Sequence, residues 1–235
     1  MLVRRNIFNE IYCFVTAHKD TAMTGETIKM KKLLISLKAF LPESIKRILR
    51  CMRLYFNNEV PSDEIPQIQL DGCILYQNRL SLLQSITSRD TVAAEVGVLY
   101  GDFSKEILDT TEIKNLTLID INTERFKNEV KHNERTTVVN VLSEEFKIVH
   151  DFDWIYIDAD HSYSGVKRDI EVYKNFLKPG GYMVFNDYSK VSVRSLGSLG
   201  VHKAVNEFIC DSGWKVAGLA FQGNCLYDIA VRKPT

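Results

Sequence analysis

Thr91-Val92-Ala93-Ala94-Glu95-Val96-Gly97-Val98-Leu99-Tyr100-Gly101 is a short apolar run that ends in an acid and then opens into two glycines. It reads as a strand followed by a strand-to-helix turn, with an E-x-G-x-x-x-G whose glycines let the backbone approach a ligand without Cβ obstruction. The spacing is not the G-x-G-x-x-G of a pyrophosphate-binding turn. Working outward, the spacing predicts a helix over Asp102 to Asp109, a strand Leu116 to Asp120, a helix Thr123 to His132 and a strand Thr136 to Val141. The alternation continues with a strand Asp153 to Asp158, a helix Ser164 to Phe176, a turn at Pro179-Gly180-Gly181 and a strand Tyr182 to Asp187. A helix ending near Asp211 precedes WKVAGLA and CLYDIAVRK, which read as a hairpin around Gln222-Gly223-Asn224.

Strands alternating with helices require right-handed crossovers and a doubly wound α/β sheet. We expect a Rossmann-like sheet of about seven strands, its last hairpin adding an antiparallel strand, with an N-terminal mainly helical extension over residues 1–70 and the α/β domain over 71–235. The stretch YQNRLSLLQSI reads as a helix leading into that domain, and Asn57 to Gln69, with two prolines, as a linker. Upstream, Ile45, Ile48, Leu49, Met52 and Tyr55 recur at helical spacing among Lys46, Arg47, Arg50 and Arg53. That basic amphipathic helix fits ordinary packing on a core or attachment to an acidic membrane surface or partner.

Across 235 residues, 30 Lys and Arg balance 30 Asp and Glu, so there is no global positive field to gather phosphate backbones, and a nucleic-acid partner is disfavoured. Hydrophobic residues at 45% and charged residues at 26% suit a globular protein and exclude intrinsic disorder. The five cysteines are scattered without a C-x-x-C pair, which predicts free thiols in a reducing, cytoplasmic setting. No apolar stretch approaches the roughly 18 to 20 residues of a membrane span, and the N-terminal residues do not read as a signal peptide.

In a doubly wound sheet, ligands sit beyond the carboxyl ends of the strands. There the sequence places Glu95, Gly97 and Gly101 after the first strand of the series, and Asp120 after the second, where a carboxylate suits the two hydroxyls of a ribose. The order of these features resembles the class I S-adenosylmethionine-dependent methyltransferases. The resemblance implies that Glu95, Gly97 and Gly101 line the methionine part of S-adenosylmethionine, that Asp120 holds its ribose, and that Val141-Leu142-Ser143 borders the adenine. Ser104 reads either as a partner of the cofactor carboxylate or as a helix cap. A nicotinamide-dependent oxidoreductase is disfavoured by the glycine spacing, although Tyr163 and Lys167 stand four residues apart.

The later strands end in Asp158-Ala159-Asp160-His161 and Asn186-Asp187, an edge rich in oxygen ligands that suits Mg²⁺ or Ca²⁺ or, alternatively, caps the following helices. Leu75-Tyr76-Gln77-Asn78-Arg79-Leu80, E-V-G-V, I-D-A-D and the acid/amide pair after Pro-Gly-Gly resemble the metal-dependent O-methyltransferases of the catechol and caffeoyl-coenzyme A type. Asp-x-x-His and GVKRDI resemble the macrocin type. The resemblance implies Asp158, Asn186 and Asp187 as metal ligands, although the order here is Asn-Asp rather than Asp-Asn. It also implies that Asp158 borders the cofactor. It further implies O-methylation of a sugar-containing, glycan or small natural-product hydroxyl, with His161 as general base. Two other readings remain: a metal-independent O- or N-methyltransferase and a non-catalytic cofactor-binding partner. Tyr163, Tyr188 and Arg194 are candidate substrate contacts, and the loop Tyr188 to Val201 a candidate lid. The extension is a candidate lid, substrate element or homodimer contact.

Overall fold

The computed structural model describes residues 42–46, 62–147, 151–192, 197–223 and 225–235. The chain divides into two compact units, Met1–Leu49 and Arg50–Thr235. In the first, 43–46 form a helical turn. The rest of the expected basic helix, Arg194 and Asn224 lie outside the described residues.

In the second unit, α1 (Gln67–Leu70), β1 (Ile74–Tyr76) and α2 (Arg79–Ser85) precede β2 (Val92–Val96) and α3 (Asp102–Thr110). β3 (Asn115–Asp120), α4 (Asn128–Lys131), β4 (Thr136–Asn140), β5 (Phe152–Ile157), α5 (Tyr163–Tyr173) and β6 (Leu177–Phe185) follow. β7 (Val191–Ser192) and β8 (Gly197–Ser198) form a small separate sheet before α6 (Val201–Ser212), β9 (Lys215–Phe221) and β10 (Tyr227–Arg232). The main sheet has eight strands in the order β1-β9-β10-β6-β5-β2-β3-β4. β10 runs antiparallel to both β6 and β9, while β2 pairs in parallel with β3 on one side and β5 on the other. The chain therefore reverses its winding beside β2, and the carboxyl ends of β2 and β5 open a crevice there.

Side-chain alternation sorts the strands onto two cores. Ala93, Leu116, Leu118, Trp154, Tyr156 and Val184 pack on one face with α2, α3 and α4 residues such as Leu82, Ile107 and Val130. Ala94, Ile119, Ile155, Met183 and Phe185 face the other side, with Val166 and Ile170 of α5 and Val205 and Ile209 of α6. Central strands covered on both faces explain why the series beginning at Val92 is apolar throughout. The buried indole of Trp154 keeps its hydrogen bond by donating to Thr87 Oγ1 at 3.0 Å.

Three expectations are corrected. Ile74–Tyr76 is a strand pairing in parallel with β9, where a helix was expected from Tyr76; three residues are too short a run to show a period. The helix expected over Thr123 to His132 is a 3-10 turn, Thr123–Arg125, and the separate single turn α4. Pro179-Gly180-Gly181 lies within β6, where the register slips from Phe152↔Leu177 to Trp154↔Tyr182, so the turn is a bulge of three extra residues in a continuous strand.

Candidate functional site

A cavity of about 610 Å³ opens at the carboxyl ends of β2, β3 and β5, within the size range of small-ligand sites. Glu95, Gly97, Asp120, Leu142, Ser143 and Asp158 line it, so six of the expected cofactor-binding positions converge. Gly97 sits at φ +86°, and a Cβ there would come within 2.3 Å of the Asp158 carbonyl oxygen, so glycine is what lets β2 and β5 close at the switch point. Gly101 is not part of the lining; it forms the N-cap of α3.

Asp120 is set by the backbone around it. Its Oδ2 accepts from the N–H groups of Val98 and Leu99, both at 3.0 Å, and its Oδ1 from Asn122 N–H at 2.8 Å and from Arg125 Nη2 at 3.4 Å. Burial pushes the carboxyl up, but the Leu99, Asn122 and Val98 donors and the Arg125 charge outweigh it and hold the group below the usual aspartate value. Glu95 goes the other way: burial among Asp158 and Asp120 raises it to about 8 despite the hydroxyl of Ser104, which donates to Oε2 at 2.5 Å. Both expectations for Ser104 are thereby corrected. Its side chain is fully buried against Glu95, outside the cavity lining, and α3 has no side-chain cap.

The Leu142-Ser143 wall is gripped from α5. Ser143 Oγ donates to Asp169 Oδ1 at 2.6 Å, the Tyr173 hydroxyl donates to the Ser143 carbonyl at 3.0 Å, and Arg168 pairs with Glu144 at 2.8 Å. Asp169 and Tyr173 stand four residues apart on one helix face, so a single register fixes both contacts. Asp169 is 2% exposed, its Oδ2 has no partner, and burial raises its carboxyl to about 6. Its unfolded value is lower, so the folded state favours the protonated form, and stability is lost as pH rises from the unfolded value through about 6. Asp169→Asn is expected to stabilise the protein at pH ~7.5 by on the order of 1–3 kcal/mol, with the gain vanishing near pH ~4. Thermal unfolding at both pH values checks this, and an equal gain at both would refute it.

At the other end of the cavity, His161 lies between two acids. Its Nε2 is 3.1 Å from Asp158 Oδ1 and its Nδ1 3.8 Å from Asp187 Oδ2. Burial lowers the imidazole pKa, but the Asp158 hydrogen bond and the charges of Asp158, Asp187 and Asp160 outweigh it and raise the value above 6.5. Gly200 supports this turn. Its N–H donates to the His161 carbonyl at 2.8 Å, and a Cβ there would meet Tyr163 N at 1.9 Å, so only glycine allows the approach. Asp187 also lines a second cavity of about 510 Å³ with Gln77, Asn78, Arg79, Asn186 and Gln222. His161 thus sits between an acid of the first cavity and an acid of the second.

The expected metal ligands do not assemble. Asn186 is buried, its amide nitrogen donating to the Tyr156 hydroxyl at 3.0 Å and to Asp228 Oδ1 at 3.4 Å. The imidazole of His161 takes the space between Asp158 and Asp187. Among the described residues no group of three or more His, Cys, Asp or Glu side chains is arranged to hold an ion. This donor set does not fit Mg²⁺ or Ca²⁺, which need several convergent oxygens. The ligand expectation for Asp158, Asn186 and Asp187 gains no support from that geometry.

Tyr163 and Tyr188 are also turned away. The Tyr163 hydroxyl donates to Glu207 at 2.5 Å and Lys167 Nζ reaches that hydroxyl at 3.1 Å, while Tyr188 bonds Asn206 and stacks on His202. These contacts tie α5 and the loop after β6 to α6, and neither tyrosine is in the lining of either cavity. Residues that the sequence did not single out stand at the site instead. Tyr156 donates to Asp228 Oδ2 at 2.6 Å, Gln222 bonds the same acid, and Arg79 faces both cavities. Their signals were a tyrosine in an apolar strand and a basic residue opening a helix, patterns that many core and surface positions share.

Residues 94–188, less than half of the chain, match a family model described as a methyltransferase domain. Over that stretch, from β2 to the turn after β6, the chain is similar to a methyltransferase domain. By sequence it is 27% identical over 150 residues to the uncharacterized protein R132 of Acanthamoeba polyphaga mimivirus, covering 56% of this chain and 65% of that one. The chain therefore spans just under two thirds of that relative's length. By fold, the chain is similar to the N-methyltransferase NodS from Bradyrhizobium japonicum WM9 in complex with S-adenosyl-L-homocysteine. That match has a TM-score of 0.52, 17% identity, and covers 79% of this chain and 99% of that one. It is also similar to a SAM-dependent methyltransferase from Aquifex aeolicus, with a TM-score of 0.51 and 14% identity over 66% of this chain and 90% of that one. The sheet order and the terminal antiparallel hairpin are those of a Rossmann-like methyltransferase fold. Among the described residues no helix is long and apolar enough to cross a membrane.

Proposed function

We propose that this chain binds S-adenosylmethionine in the 610 Å³ cavity and transfers its methyl group to a hydroxyl of a sugar-containing or small natural-product acceptor in the neighbouring 510 Å³ cavity. The observation that carries the reading is the position of His161 between Asp158 of the first cavity and Asp187 of the second. Adenosine lies along Asp120, Leu142 and Ser143, and the methionine along Glu95 and Gly97. The carboxylates of Asp158 and Asp120 in the same lining favour the sulfonium and the α-amino group. The amides of Gln77, Asn78 and Gln222 suit an acceptor with several hydroxyls.

His161 takes the acceptor hydroxyl proton, the oxygen forms a bond to the methyl carbon, and the carbon–sulfur bond breaks to release S-adenosylhomocysteine. An anionic oxygen and a cationic sulfonium neutralise each other in the transition state, so alignment and exclusion of water supply much of the rate. Asp158 and Asp187 orient the imidazole and stabilise the imidazolium once the proton has moved. Because the donor set does not suit a divalent cation, no step passes through one.

Calorimetric titration with S-adenosylhomocysteine, followed by a screen of glycosides and small polyols with methyl-labelled S-adenosylmethionine, tests the proposal. Micromolar binding is expected, with label appearing on oxygen and turnover unchanged by EDTA. Absence of binding overturns the cofactor assignment. Label on nitrogen overturns the hydroxyl acceptor in favour of an N-methyltransferase, as NodS is, and loss of turnover in EDTA restored by Mg²⁺ overturns the metal-free reading.

A further inference from the structure

Arg79 is the first residue of α2, whose N-cap is Asn78, the Asn78 side chain accepting from Ser81 N–H at 2.8 Å. A cation in the first turn opposes the helix dipole, and α2 has no acidic residue there to offset it. A locally unfavourable placement of this kind points to a task set by the surroundings. The guanidinium lies 3.6 Å from the centroid of the Phe103 ring and is stacked on it. Arg79 is the one basic residue lining either cavity among the described residues. It also forms no ion pair among them, although Asp158, Asp187 and Asp228 lie in its field, and the Tyr156 hydroxyl is the polar group that acts on it most strongly.

The other ionisable residues lining the cavity are all acids: Asp102, Asp120, Asp158 and Asp160 carry its negative charge, and Glu95, raised to about 8, holds its proton at neutral pH. Such a wall attracts a sulfonium and an ammonium but repels a carboxylate, and the amino acid portion of the proposed cofactor carries all three charges. We infer that Arg79 is the counter-ion of the cofactor's methionyl carboxylate and that it makes the site selective for the intact amino acid end. The inference rests on the cofactor reading above. Ser104, the expected carboxylate partner, is sealed against Glu95, so the role falls to Arg79. Stacked on Phe103, the planar fork is oriented before the ligand arrives, and its five N–H donors leave room for a bidentate contact.

The test compares S-adenosylhomocysteine with S-adenosyl-3-thiopropylamine, which keeps the adenosine, sulfur and amine but lacks the carboxylate. Wild-type protein is expected to bind the former about 10- to 100-fold more tightly by calorimetry, the value of a charge-assisted contact. Arg79→Met is expected to bind both ligands with the wild-type affinity for the amine, and Arg79→Lys to keep a reduced preference. Equal binding of the two ligands by wild type overturns the assignment without recourse to any variant. Unchanged preference in a folded Arg79→Met protein also overturns it, and a raised acceptor KM in that case places Arg79 in the acceptor site. If wild type binds neither ligand, the cofactor reading itself has failed, an outcome distinct from either of these.

Discussion

His161→Gln is expected to lower kcat by about 10²- to 10⁴-fold, the usual value of a positioned general base, while leaving S-adenosylhomocysteine affinity within about twofold of wild type. The split follows from position. His161 lines neither cavity itself and reaches them through its contacts with Asp158 and Asp187, so its loss removes a proton acceptor and little binding surface. The pH profile carries the sharper consequence. A base acts in its neutral form, and the charges around His161 keep the imidazole protonated above its ordinary 6.5. The acidic limb of kcat/KM is therefore expected to lie above pH 6.5, activity rising as the proton leaves. Asp187→Asn removes one of those charges and is expected to move the limb toward lower pH, whatever it does to acceptor affinity. A limb that stays in place, or a His161→Gln enzyme with wild-type turnover, would take the base role from His161.

How much of this was legible in the sequence depends on the range of the interaction involved. The central strands β2, β3 and β5 were readable because both of their faces are covered, so each is a largely apolar run that closes on a glycine or an acid, whereas the edge strand β4 is half exposed and more polar. Strand ends mark the ligand crevice in such sheets, which is why Glu95, Asp120, Leu142, Ser143 and Asp158 could be placed together. The Val98 and Leu99 N–H groups that claim Asp120, the fork of Arg79 on Phe103 and the grip of Asp169 and Tyr173 on Ser143 join residues 21 or more positions apart. No local period announces contacts of that kind. Ser104 shows the same limit in reverse. Beside a glycine turn it reads as a cap or a ligand, and only the packing of α3 on β2 shows it spent on Glu95. Asn186 likewise follows a strand as a ligand would, but its neighbour in space is Asp228 on β10, whose antiparallel pairing with β6 brings the two together.

Asp120→Ala is expected to weaken S-adenosylhomocysteine binding by about 100-fold or more, the loss of two hydrogen bonds between ribose hydroxyls and a carboxylate at about 1.5 kcal/mol each. The carboxylate has a second task, because its Oδ2 holds the N–H groups of Val98 and Leu99 and so fixes the loop after Gly97. Of its four donors Arg125 is the most distant, at 3.4 Å, and is the one a ribose hydroxyl displaces at least cost. The two tasks separate experimentally. If the ribose is bound here, wild type prefers S-adenosylhomocysteine over its 2′-deoxyribose analogue and Asp120→Ala loses that preference; if Asp120 only braces the loop, affinity falls for both and the preference persists. The brace has its own signature. Because the folded-state value lies below the unfolded one, the stabilisation is present above the unfolded pKa and is lost as pH falls through the depressed folded value. Asp120→Ala should thus lower the Tm at neutral pH and converge on wild type in acid, since a protonated Asp120 no longer offers the charge that the Val98 and Leu99 donors were arranged to meet.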